Sequence, residues 1–398
     1  MDDRSTRSTH IGRVRMIRQC AVMVGGLGTR LGSLTASTPK PLLPVAGRPF
    51  LAWLLRELTR FGIEETILLT GFRTDRIRAA LPDIAAHIPV NMRITISEEP
   101  GPAGTGGALW HARSLLDKRF LVCNGDSLFA ANLAPLLSRP LPESEAALGH
   151  LLLRHVADAA RYGIVEAACG RVTSFREKTG ESRPAWINAG IYAFDQRILA
   201  HLSETCSLER DVLAPLASAG CLNAMQANGY FIDIGIPDDL ALAQTSLPRH
   251  VLRPALFLSL GCIIKNRHRR NEIASRPEWV DGALDVIRLA TESGWHVFIL
   301  CSQSLEGNDP KTQRQIAEQV QNAGGTIDDM RYCSDKPQQD SLTDLITAWE
   351  INPKTALIIG TNAQETQAGN AAAATTHLFP GGNILSFLQP LLTAPASR

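Results

Sequence analysis

The sequence has almost no excess of charge of either sign. Its 398 residues include 40 Lys and Arg against 39 Asp and Glu, which gives a formal net charge of +1. Proteins that bind nucleic acid usually present a strongly basic surface, so the composition argues against nucleic acid as a partner. An anionic small molecule would have to be held by a local arrangement of groups rather than by the field of the whole protein.

Long apolar runs and paired cysteines are also lacking. No apolar stretch reaches the roughly 18 residues that a membrane-spanning helix requires. Residues 1–18 are polar and basic, without the apolar segment of a secretion signal. The eight cysteines are scattered and form no Cys-x-x-Cys pair, a pattern typical of reduced thiols rather than of disulfides or a zinc site. We therefore expect a cytoplasmic protein with a flexible leader over 1–18 and no membrane partner.

The chain instead shows strand-like and helix-like segments in alternation, which predicts an α/β fold with a mainly parallel sheet covered on both faces. A length of 398 residues with 44% hydrophobic residues favours two domains. A polar, proline-bearing stretch near 245–254 separates two such alternations, and we place the boundary at about residue 248. The domains are then 19–247 and 248–398. The clearest predicted segments are strands at 20–24, 65–70, 119–123, 255–258, 295–301 and 355–360, and helices at 50–61, 282–293 and 311–323.

A glycine-rich turn follows the first predicted strand. Residues 24–31 read Val-Gly-Gly-Leu-Gly-Thr-Arg-Leu, and residues 39–44 read Pro-Lys-Pro-Leu-Leu-Pro. Glycines allow backbone N–H groups to approach phosphate oxygens closely. Arg30 and Lys40 add cations that could clamp a triphosphate and neutralise the charge that develops as a phosphate attacks an α-phosphorus. The alternative is an ordinary tight turn beside two solvated cations.

The same residues exclude two common phosphate-binding loops. Leu31 stands where the dinucleotide-binding pattern GxGxxG requires its third glycine, and no Gly-Lys-Ser/Thr follows as in a Walker loop. The stretch closely resembles the GxGTR…PKP signature of sugar nucleotidylyltransferases, which Val-Ala-Gly-Arg-Pro at 45–49 continues. The resemblance implies catalytic roles for Arg30 and Lys40. The turn residues that it assigns to the nucleotide are Gly25, Gly26, Gly28 and Thr29.

Further motifs extend this resemblance to about Leu242. Residues 99–109, Glu-Pro-Gly-Pro-Ala-Gly-Thr-Gly-Gly-Ala-Leu, are similar to the family's base-binding loop. The residues of this loop that the resemblance assigns to the nucleotide are Glu99, Gly104, Thr105 and Gly106. Three later segments, 162–166, 175–178 and 188–192, resemble the contacts to the sugar and its phosphate. The residues implied there are Gly163, Glu177, Lys178 and Asn188, although Lys178 taken alone reads equally as a surface lysine.

Two aspartates match the family's metal-binding carboxylates. Asp126 ends the segment Asn-Gly-Asp after a predicted strand, and Asp233 lies in Phe-Ile-Asp-Ile-Gly. Mg²⁺ favours a few carboxylates together with phosphate oxygens and waters, so two aspartates from distant strand ends are sufficient. In isolation, an aspartate after Asn-Gly is commonly a turn residue. The match of both aspartates to the family's metal-binding carboxylates implies Mg²⁺ as the cofactor.

Residues 255–372 resemble haloacid-dehalogenase (HAD)-like phosphatases, especially the heptose-bisphosphate phosphatases. After the first strand that family has Asp-x-Asp-Gly, whereas this chain has Ser-Leu-Gly-Cys at 259–262. Thr361 replaces a metal-binding aspartate, Glu365 stands at the second acidic place, and Lys336-Pro337 matches a third motif. Such a phosphatase needs a carboxylate nucleophile and carboxylates for Mg²⁺. We therefore expect this domain to be catalytically inactive.

Together the resemblances imply a Rossmann-like, GT-A-like nucleotidyltransferase domain on a mixed sheet, followed by a smaller HAD-like domain. The expected partners are a nucleoside triphosphate and a sugar 1-phosphate, which react to a nucleotide sugar and pyrophosphate. The phosphatase resemblance favours GTP with D-glycero-D-manno-heptose 1-phosphate. Mannose 1-phosphate with GTP, and glucose 1-phosphate with UTP or dTTP, stay open. So do a homo-oligomer and a different class of function, a scaffold or regulator that binds ligands without turnover.

Overall fold

The computed structural model of the protein describes residues 16–26, 28–141, 146–176, 180, 182–265, 277–301, 310–332 and 338–393. Most of the expected leader lies outside these residues. Within them the chain forms two α/β units, one on a nine-stranded and one on a five-stranded sheet. None of the described helices has the length and apolar character to cross a bilayer, and each described cysteine is a free thiol.

The first unit extends to residue 251. Its strands are β1 (Gln19–Met23), β2 (Pro44–Val45), β3 (Arg48–Pro49), β4 (Glu65–Thr70), β5 (Arg93–Glu98), β6 (Arg119–Asn124), β7 (Ser127–Ala130), β8 (Gly149–Val156), β9 (Ile164–Ala168), β10 (Arg171–Arg176), β11 (Ala185–Asp195), β12 (Leu222–Gln226) and β13 (Tyr230–Asp233). Its helices are α1 (Phe50–Thr59), α2 (Thr74–Ala86), α3 (Gly104–His111), α4 (Ala134–Ser138), α5 (Ala214–Ser218) and α6 (Pro237–Val251).

The nine-stranded sheet is parallel at one end and mixed at the other. Its order is β5-β4-β1-β6-β11-β8-β12-β10-β9. Strands β1, β4, β5 and β6 run parallel, whereas β11 runs antiparallel to both β6 and β8. Alternation alone predicted a mainly parallel sheet. The far end is mixed because no helix of the described residues lies between β8 and β11, and direct connections favour antiparallel neighbours.

The second unit is a doubly wound parallel sheet. Its strands are β14 (Ala255–Ser259), β15 (His296–Cys301), β16 (Asp329–Tyr332), β17 (Ala356–Gly360) and β18 (Thr375–Leu378). Its helices are α7 (Ala283–Glu292), α8 (Pro310–Asn322), α9 (Gln338–Ala348), α10 (Ala363–Ala371) and α11 (Ile384–Thr393). The strand order is β16-β15-β14-β17-β18, so the winding direction reverses between β14 and β17. Helices α7, α8 and α11 pack on one face, and α9 packs on the other.

The predicted segments agree closely with these bounds. Strand β4 matches the predicted 65–70, and the other predicted strands and helices agree within two residues at either end. Helix α6, however, continues through Pro248 to Val251. A proline removes one N–H hydrogen bond to the preceding turn of a helix, and here that loss falls in the last turn of α6. The chain passes from one sheet to the other over 252–254, just after the boundary that the sequence suggested.

Helix α1 lies between the two units and is buried at every position from 50 to 59. Its apolar side chains complete the core of the first unit, while its charged residues face the second. Glu57 accepts two hydrogen bonds from Arg253, at 2.7 and 2.8 Å. Just after α1, Arg60 Nε donates to Asp328 at 2.8 Å, and Arg56 donates to the carbonyl of Trp349. Buried charges require such partners, so the junction is specific.

Candidate active site

The glycine-rich turn packs tightly between β1, β4 and the segment that carries Lys40. Gly28 has a φ of +62°, and a Cβ there would lie 3.0 Å from Thr35 Cγ2 and 3.4 Å from Lys40 Cβ. A Cβ on Gly25 would lie 3.2 Å from the Gly71 nitrogen, whereas one on Gly26 would meet nothing within 4 Å. Gly28 is therefore needed for the turn itself, and Gly26 leaves open space above it. Thr29 begins the 3₁₀ segment Thr29–Thr35.

Lys40 and the two predicted metal-binding aspartates meet at one point. Lys40 Nζ donates to Asp126 Oδ2 at 2.7 Å and to Asp233 Oδ1 at 3.3 Å. The lysine side chain is only 7% exposed, while those of Asp126 and Asp233 are 42% and 20% exposed. Three residues separated by up to 193 positions thus form one cluster below the glycine turn. Arg30, the other predicted catalytic cation, is exposed at the start of the 3₁₀ segment.

A short antiparallel ladder brings the two aspartates together. In it β13 pairs with β7, so that Asp233 lies opposite Ser127. The backbone N–H of Ile234 also donates to the Asp126 carbonyl at 3.1 Å. On the other side, the Gly125 N–H donates to Met23 at the end of β1 at 3.0 Å, and a Cβ on Gly125 would lie 2.5 Å from that carbonyl. Backbone contacts therefore fix both carboxylates relative to the turn.

The cluster fits a divalent cation. The Lys40 ammonium already stands between the two carboxylates as an internal cation. A Cβ on Gly235 would lie 2.9 Å from Asp233 Oδ1 and 3.3 Å from Lys40 Nζ, so a glycine keeps this space clear. In the described part of the chain no three His, Cys, Asp or Glu side chains gather around one point. Mg²⁺ held here would draw its other ligands from phosphate oxygens and water, as it often does.

Glu99 lies at the opposite side of the glycine turn. Its Oε1 would be 3.5 Å from a Cβ on Gly25, and its Oε2 accepts a hydrogen bond from the Ala103 N–H at 3.3 Å. Partial burial raises the pKa of the Glu99 carboxyl, against the effects of the Ala103 N–H and of His111. A half-buried carboxylate beside the turn offers hydrogen-bond acceptors to a bound ligand.

The next part of the predicted base loop packs against residues 206–209. Gly104 opens α3 with a φ of +77°, and a Cβ there would lie 2.6 Å from the Cys206 carbonyl. The Gly106 N–H donates to the same carbonyl at 3.0 Å. Thr105 Oγ1 donates to Glu209 at 2.8 Å and accepts from the Leu208 N–H at 2.9 Å. These residues let α3 pack closely on 206–209, and the donor groups named here are used within the chain.

The two described sugar-site residues are adjacent. The Asn188 N–H donates to the Gly163 carbonyl at 3.0 Å. The Asn188 side chain donates to Tyr192 Oη at 2.5 Å and accepts from the Gly190 N–H at 3.1 Å. A Cβ on Gly190 would lie 2.5 Å from the Asn124 amide nitrogen, which links this strand to the Asn-Gly-Asp turn. Glu177 and Lys178 lie outside the described residues.

Sequence reasoning did not single out two residues near this site. Gly235 was quoted within its motif but given no role, although its missing side chain leaves room for Lys40. Arg154, in β8, holds its guanidinium 4.8 Å from the centre of the Phe231 ring, and no described carboxylate pairs with it. Tyr162 packs edge-on against the same ring, with centres 6.0 Å apart. The signal for Arg154 is a cation directly after the apolar run Leu-Leu-Leu at 151–153.

The corresponding edge of the second sheet is arranged differently. A Cβ on Gly261 would lie 3.2 Å from Thr361 Cγ2. Glu365, 6% exposed, accepts hydrogen bonds from the Thr361 N–H at 2.7 Å and from its hydroxyl at 3.0 Å. Burial raises the pKa of the Cys262 thiol to about 12. Neither Glu365 nor Cys262 is thus a free nucleophile, and Lys336 lies outside the described residues.

Comparison with known proteins assigns the first unit. The nucleotidyl transferase family model matches residues 20–249, which is more than half of the chain, and the protein belongs to this family.

Individual relatives are guanylyltransferases of sugar phosphates. The chain is 34% identical over 236 residues to D-glycero-alpha-D-manno-heptose 1-phosphate guanylyltransferase of Aneurinibacillus thermoaerophilus, covering 58% of this chain and 100% of the relative. It is 37% identical over 242 residues to mannose-1-phosphate guanylyltransferase of Mycobacterium tuberculosis, covering 59% of this chain and 66% of the relative. Among solved structures, HddC from Yersinia pseudotuberculosis is similar with 31% identity and a TM-score of 0.50, covering 57% of this chain and 98% of HddC. HddC has also been solved in complex with GMP-PN.

Proposed function

We propose that the protein transfers a nucleoside monophosphate from a nucleoside triphosphate to a sugar 1-phosphate and releases pyrophosphate. The observation that carries this proposal is the cluster of Lys40, Asp126 and Asp233 below an open glycine turn, in a domain of the nucleotidyl transferase family. In such a reaction the sugar phosphate is itself the nucleophile. The chain needs to supply positioning and charge stabilisation rather than a nucleophile of its own.

Each part of the cluster has a role in this proposal. Asp126 and Asp233 would hold Mg²⁺, whose chemistry is to neutralise and orient phosphate oxygens. Lys40 and Arg30 would stabilise the charge that develops at the α-phosphate and on the departing pyrophosphate. The open side of Gly26 leaves room for the triphosphate to approach the backbone.

The residues for the sugar phosphate are those that the family resemblance implies. We propose Gly163 and Asn188, which adjoin one another in the fold, together with Glu177 and Lys178. The match covers the full length of the heptose 1-phosphate guanylyltransferase, and this supports D-glycero-D-manno-heptose 1-phosphate as the acceptor. Mannose 1-phosphate is the second candidate, because the mycobacterial relative is a mannose-1-phosphate guanylyltransferase.

Glu99 supports GTP as the donor. An ionised carboxylate only accepts hydrogen bonds and can take two in parallel. Guanine presents two adjacent donors, N1–H and the N2 amino group, whereas uracil and thymine present a single N–H between two carbonyls. The Glu99 carboxylate lies beside the turn, with Oε1 3.5 Å from the position of a Cβ on Gly25. Its two acceptors therefore match guanine better than either pyrimidine.

We further propose that residues from about 248 onward form a degenerate HAD-like phosphatase domain. The reversal of winding between β14 and β17 supports this, because ligands of doubly wound sheets bind at such a switch point. Ser259 and Thr361 stand at the carboxyl ends of these two strands, where the proposed ancestry has aspartates. The domain would then have kept the fold and lost the hydrolysis.

The test is pyrophosphate release by the full chain with Mg²⁺. GTP, UTP, dTTP and ATP are each combined with heptose, mannose and glucose 1-phosphates. We expect the highest kcat/KM with GTP and heptose 1-phosphate. A preference for GTP with mannose 1-phosphate would select the second candidate, and a preference for UTP or dTTP would contradict the role of Glu99. Nucleotide binding without pyrophosphate release from any pair would instead support a scaffold or regulator.

A further inference from the structure

Lys40 occupies the position that the proposed metal ion would need. Its ammonium group is bonded to Asp126 at 2.7 Å and to Asp233 at 3.3 Å, and its side chain is 7% exposed. These are the two carboxylates that would bind Mg²⁺. The proposed function also requires Lys40 to act on the phosphates of the nucleotide, so the same side chain is assigned to two places.

A divalent ion and the ammonium group cannot share this pair of carboxylates at low cost. Both are cations, and at a few ångströms their repulsion far exceeds thermal energy in a partly buried site. Arg161 interacts electrostatically with Asp233, but it is paired with Asp239 at 2.6 Å. The charge balance at the carboxylates therefore depends on where Lys40 points.

Lys40 combines a restrained backbone with a long, rotatable side chain. Pro39 and Pro41 flank it and restrict the main chain, and the Leu43 N–H donates to its carbonyl at 3.1 Å. The side chain, by contrast, has four rotatable methylene groups and donors that rotate freely. A Cβ on Gly235 would approach Nζ to 3.3 Å, so glycine there keeps the space into which the ammonium group fits.

We propose that Lys40 closes the metal site of the nucleotide-free protein. The carboxylates then accept a divalent ion only when a triphosphate draws the ammonium group away, so nucleotide and ion enter together. The protein thereby avoids holding an idle metal ion in the absence of substrate. This inference rests on the proposed function, which assigns the two aspartates to the metal and Lys40 to the phosphates.

The test is Mn²⁺ binding to the full chain without nucleotide, followed through the electron paramagnetic resonance signal of the free ion. Lys40→Met and Lys40→Gln remove the charge, and Lys40→Arg keeps it. Lys354→Met removes an exposed lysine of the second unit and serves as the matched control. We expect weak binding by the wild type, Lys40→Arg and Lys354→Met, and at least tenfold tighter binding by the two uncharged variants.

The proposal is overturned if the wild type binds Mn²⁺ as tightly as the uncharged variants. Two uncharged variants are included so that one still reports if the other fails to fold. Pyrophosphate release by the wild type separates this inference from the proposed function. If the wild type transfers nucleotide but binds Mn²⁺ as tightly as the uncharged variants, the proposed closure by Lys40 is wrong and the proposed function stands. If the uncharged variants bind Mn²⁺ more tightly but the wild type transfers nucleotide with no substrate pair, the proposed function is wrong and the closure by Lys40 stands.

Discussion

Acidic side chains serve opposite purposes in the two units of the molecule. Asp126 and Asp233 in the first unit keep exposed fractions of 42% and 20%, and their one side-chain partner among the described residues is the ammonium group of Lys40. Asp328 in the second unit is fully buried and accepts hydrogen bonds from Arg60, from His296 and from the Val297 N–H at 2.6 to 2.8 Å. Glu365 is likewise buried and committed to Thr361.

The difference shows that strand-end position alone does not make a site. Both sheets place loops at the carboxyl ends of parallel strands, where ligands of such folds bind. In the first unit the carboxylates there retain free lone pairs, whereas Glu365 at that edge of the second sheet is used by the protein itself. Asp328 is also used within the protein but lies at the opposite edge, just before β16. Removing a carboxylate should therefore cost activity in the first unit and stability in the second.

The largest expected effect is on catalysis. Asp126→Asn and Asp233→Asn should each lower kcat by about a thousandfold or more, because an amide cannot replace a charged ligand beside a triphosphate. Thermal unfolding should change little, since both side chains reach solvent. Pyrophosphate release measures the first effect and circular dichroism the second. Asp238→Asn, on an exposed carboxylate just inside α6, is the control. Near-normal activity of either variant would remove its aspartate from the metal site.

A carboxylate of the second unit gives the reverse result. Asp328→Ala removes the carboxylate that buried Arg60 and His296 share, although Arg60 keeps Glu57 and the Trp295 carbonyl. Loss of one member of a buried pair typically costs about 3–5 kcal/mol of unfolding free energy. Urea denaturation of the full chain measures this. Asp285→Ala breaks an exposed pair with Arg288 and should cost less than about 0.5 kcal/mol. Equal losses in the two variants would show that the junction is not stabilised by its ion pairs.

The pH dependence of stability sharpens the same contrast. Burial lowers the pKa of His296 to about 4, below the value near 6.5 of an exposed histidine. Between these values the unfolded chain binds the extra proton, so stability falls as the pH is lowered from about 6.5 to 4. His296→Asn keeps a donor for Asp328 and removes the titration, and it should flatten this part of the profile. If urea titrations of the variant show the same change of stability between pH 6.5 and 4, that pH dependence belongs to another group.

Asp328 acts at lower pH. Burial alone would raise the pKa of its carboxyl, but Arg60 and His296 outweigh this effect and hold it at about 2. The unfolded value is about 3.9. This depressed pKa contributes stability above pH 4 that is lost as the pH falls through 2, outside the window assigned to His296.

A half-buried carboxylate lies between these extremes. Glu99→Gln replaces one acceptor with a donor and should raise the KM for GTP about tenfold to a hundredfold, the usual cost of a mismatched polar contact. The KM for the sugar 1-phosphate should hardly change. Glu98→Gln, at the exposed neighbouring position, is the control. Equal changes for GTP and UTP would contradict base selection by Glu99.

The smallest expected effect is at the edge of the second sheet. Ser259→Ala should leave pyrophosphate release unchanged, and the full chain should release no phosphate from heptose 1,7-bisphosphate before or after the substitution. Phosphate release by the wild type that disappears in Ser259→Ala would overturn the proposed loss of hydrolysis and would break the comparison between the two units.

The sequence predicted the strands well for a physical reason. Buried parallel strands need continuous apolar residues, as in β4, and such runs are visible without knowledge of their neighbours. It could not show that Lys40 bridges Asp126 and Asp233, because that contact depends on the short β7–β13 ladder. The alternation of strands and helices alone did not show the mixed end of the sheet, which the family resemblance implied, since strand direction follows from connections rather than from composition.

The junction was equally hidden. Arg56, Glu57 and Arg60 occur within a helical pattern and look like the exposed side of an ordinary amphipathic helix. Their partners lie far along the chain, so no local pattern marks them as buried. The predicted cytoplasmic location and the open question of a homo-oligomer depend on features outside a single chain, and both stay predictions.

Helix α1 also has a consequence for how the protein is made. Its residues leave the ribosome early. The partner of Arg60, Asp328, is synthesised 268 residues later, and the partner of Arg56, Trp349, is synthesised 293 residues later. At roughly 5–20 residues per second, this delay is on the order of tens of seconds. Throughout it, a transferase unit that folds first carries an uncovered face of apolar and charged groups. If synthesis stops before Glu350, that face stays uncovered and chaperones or other nascent chains can bind it.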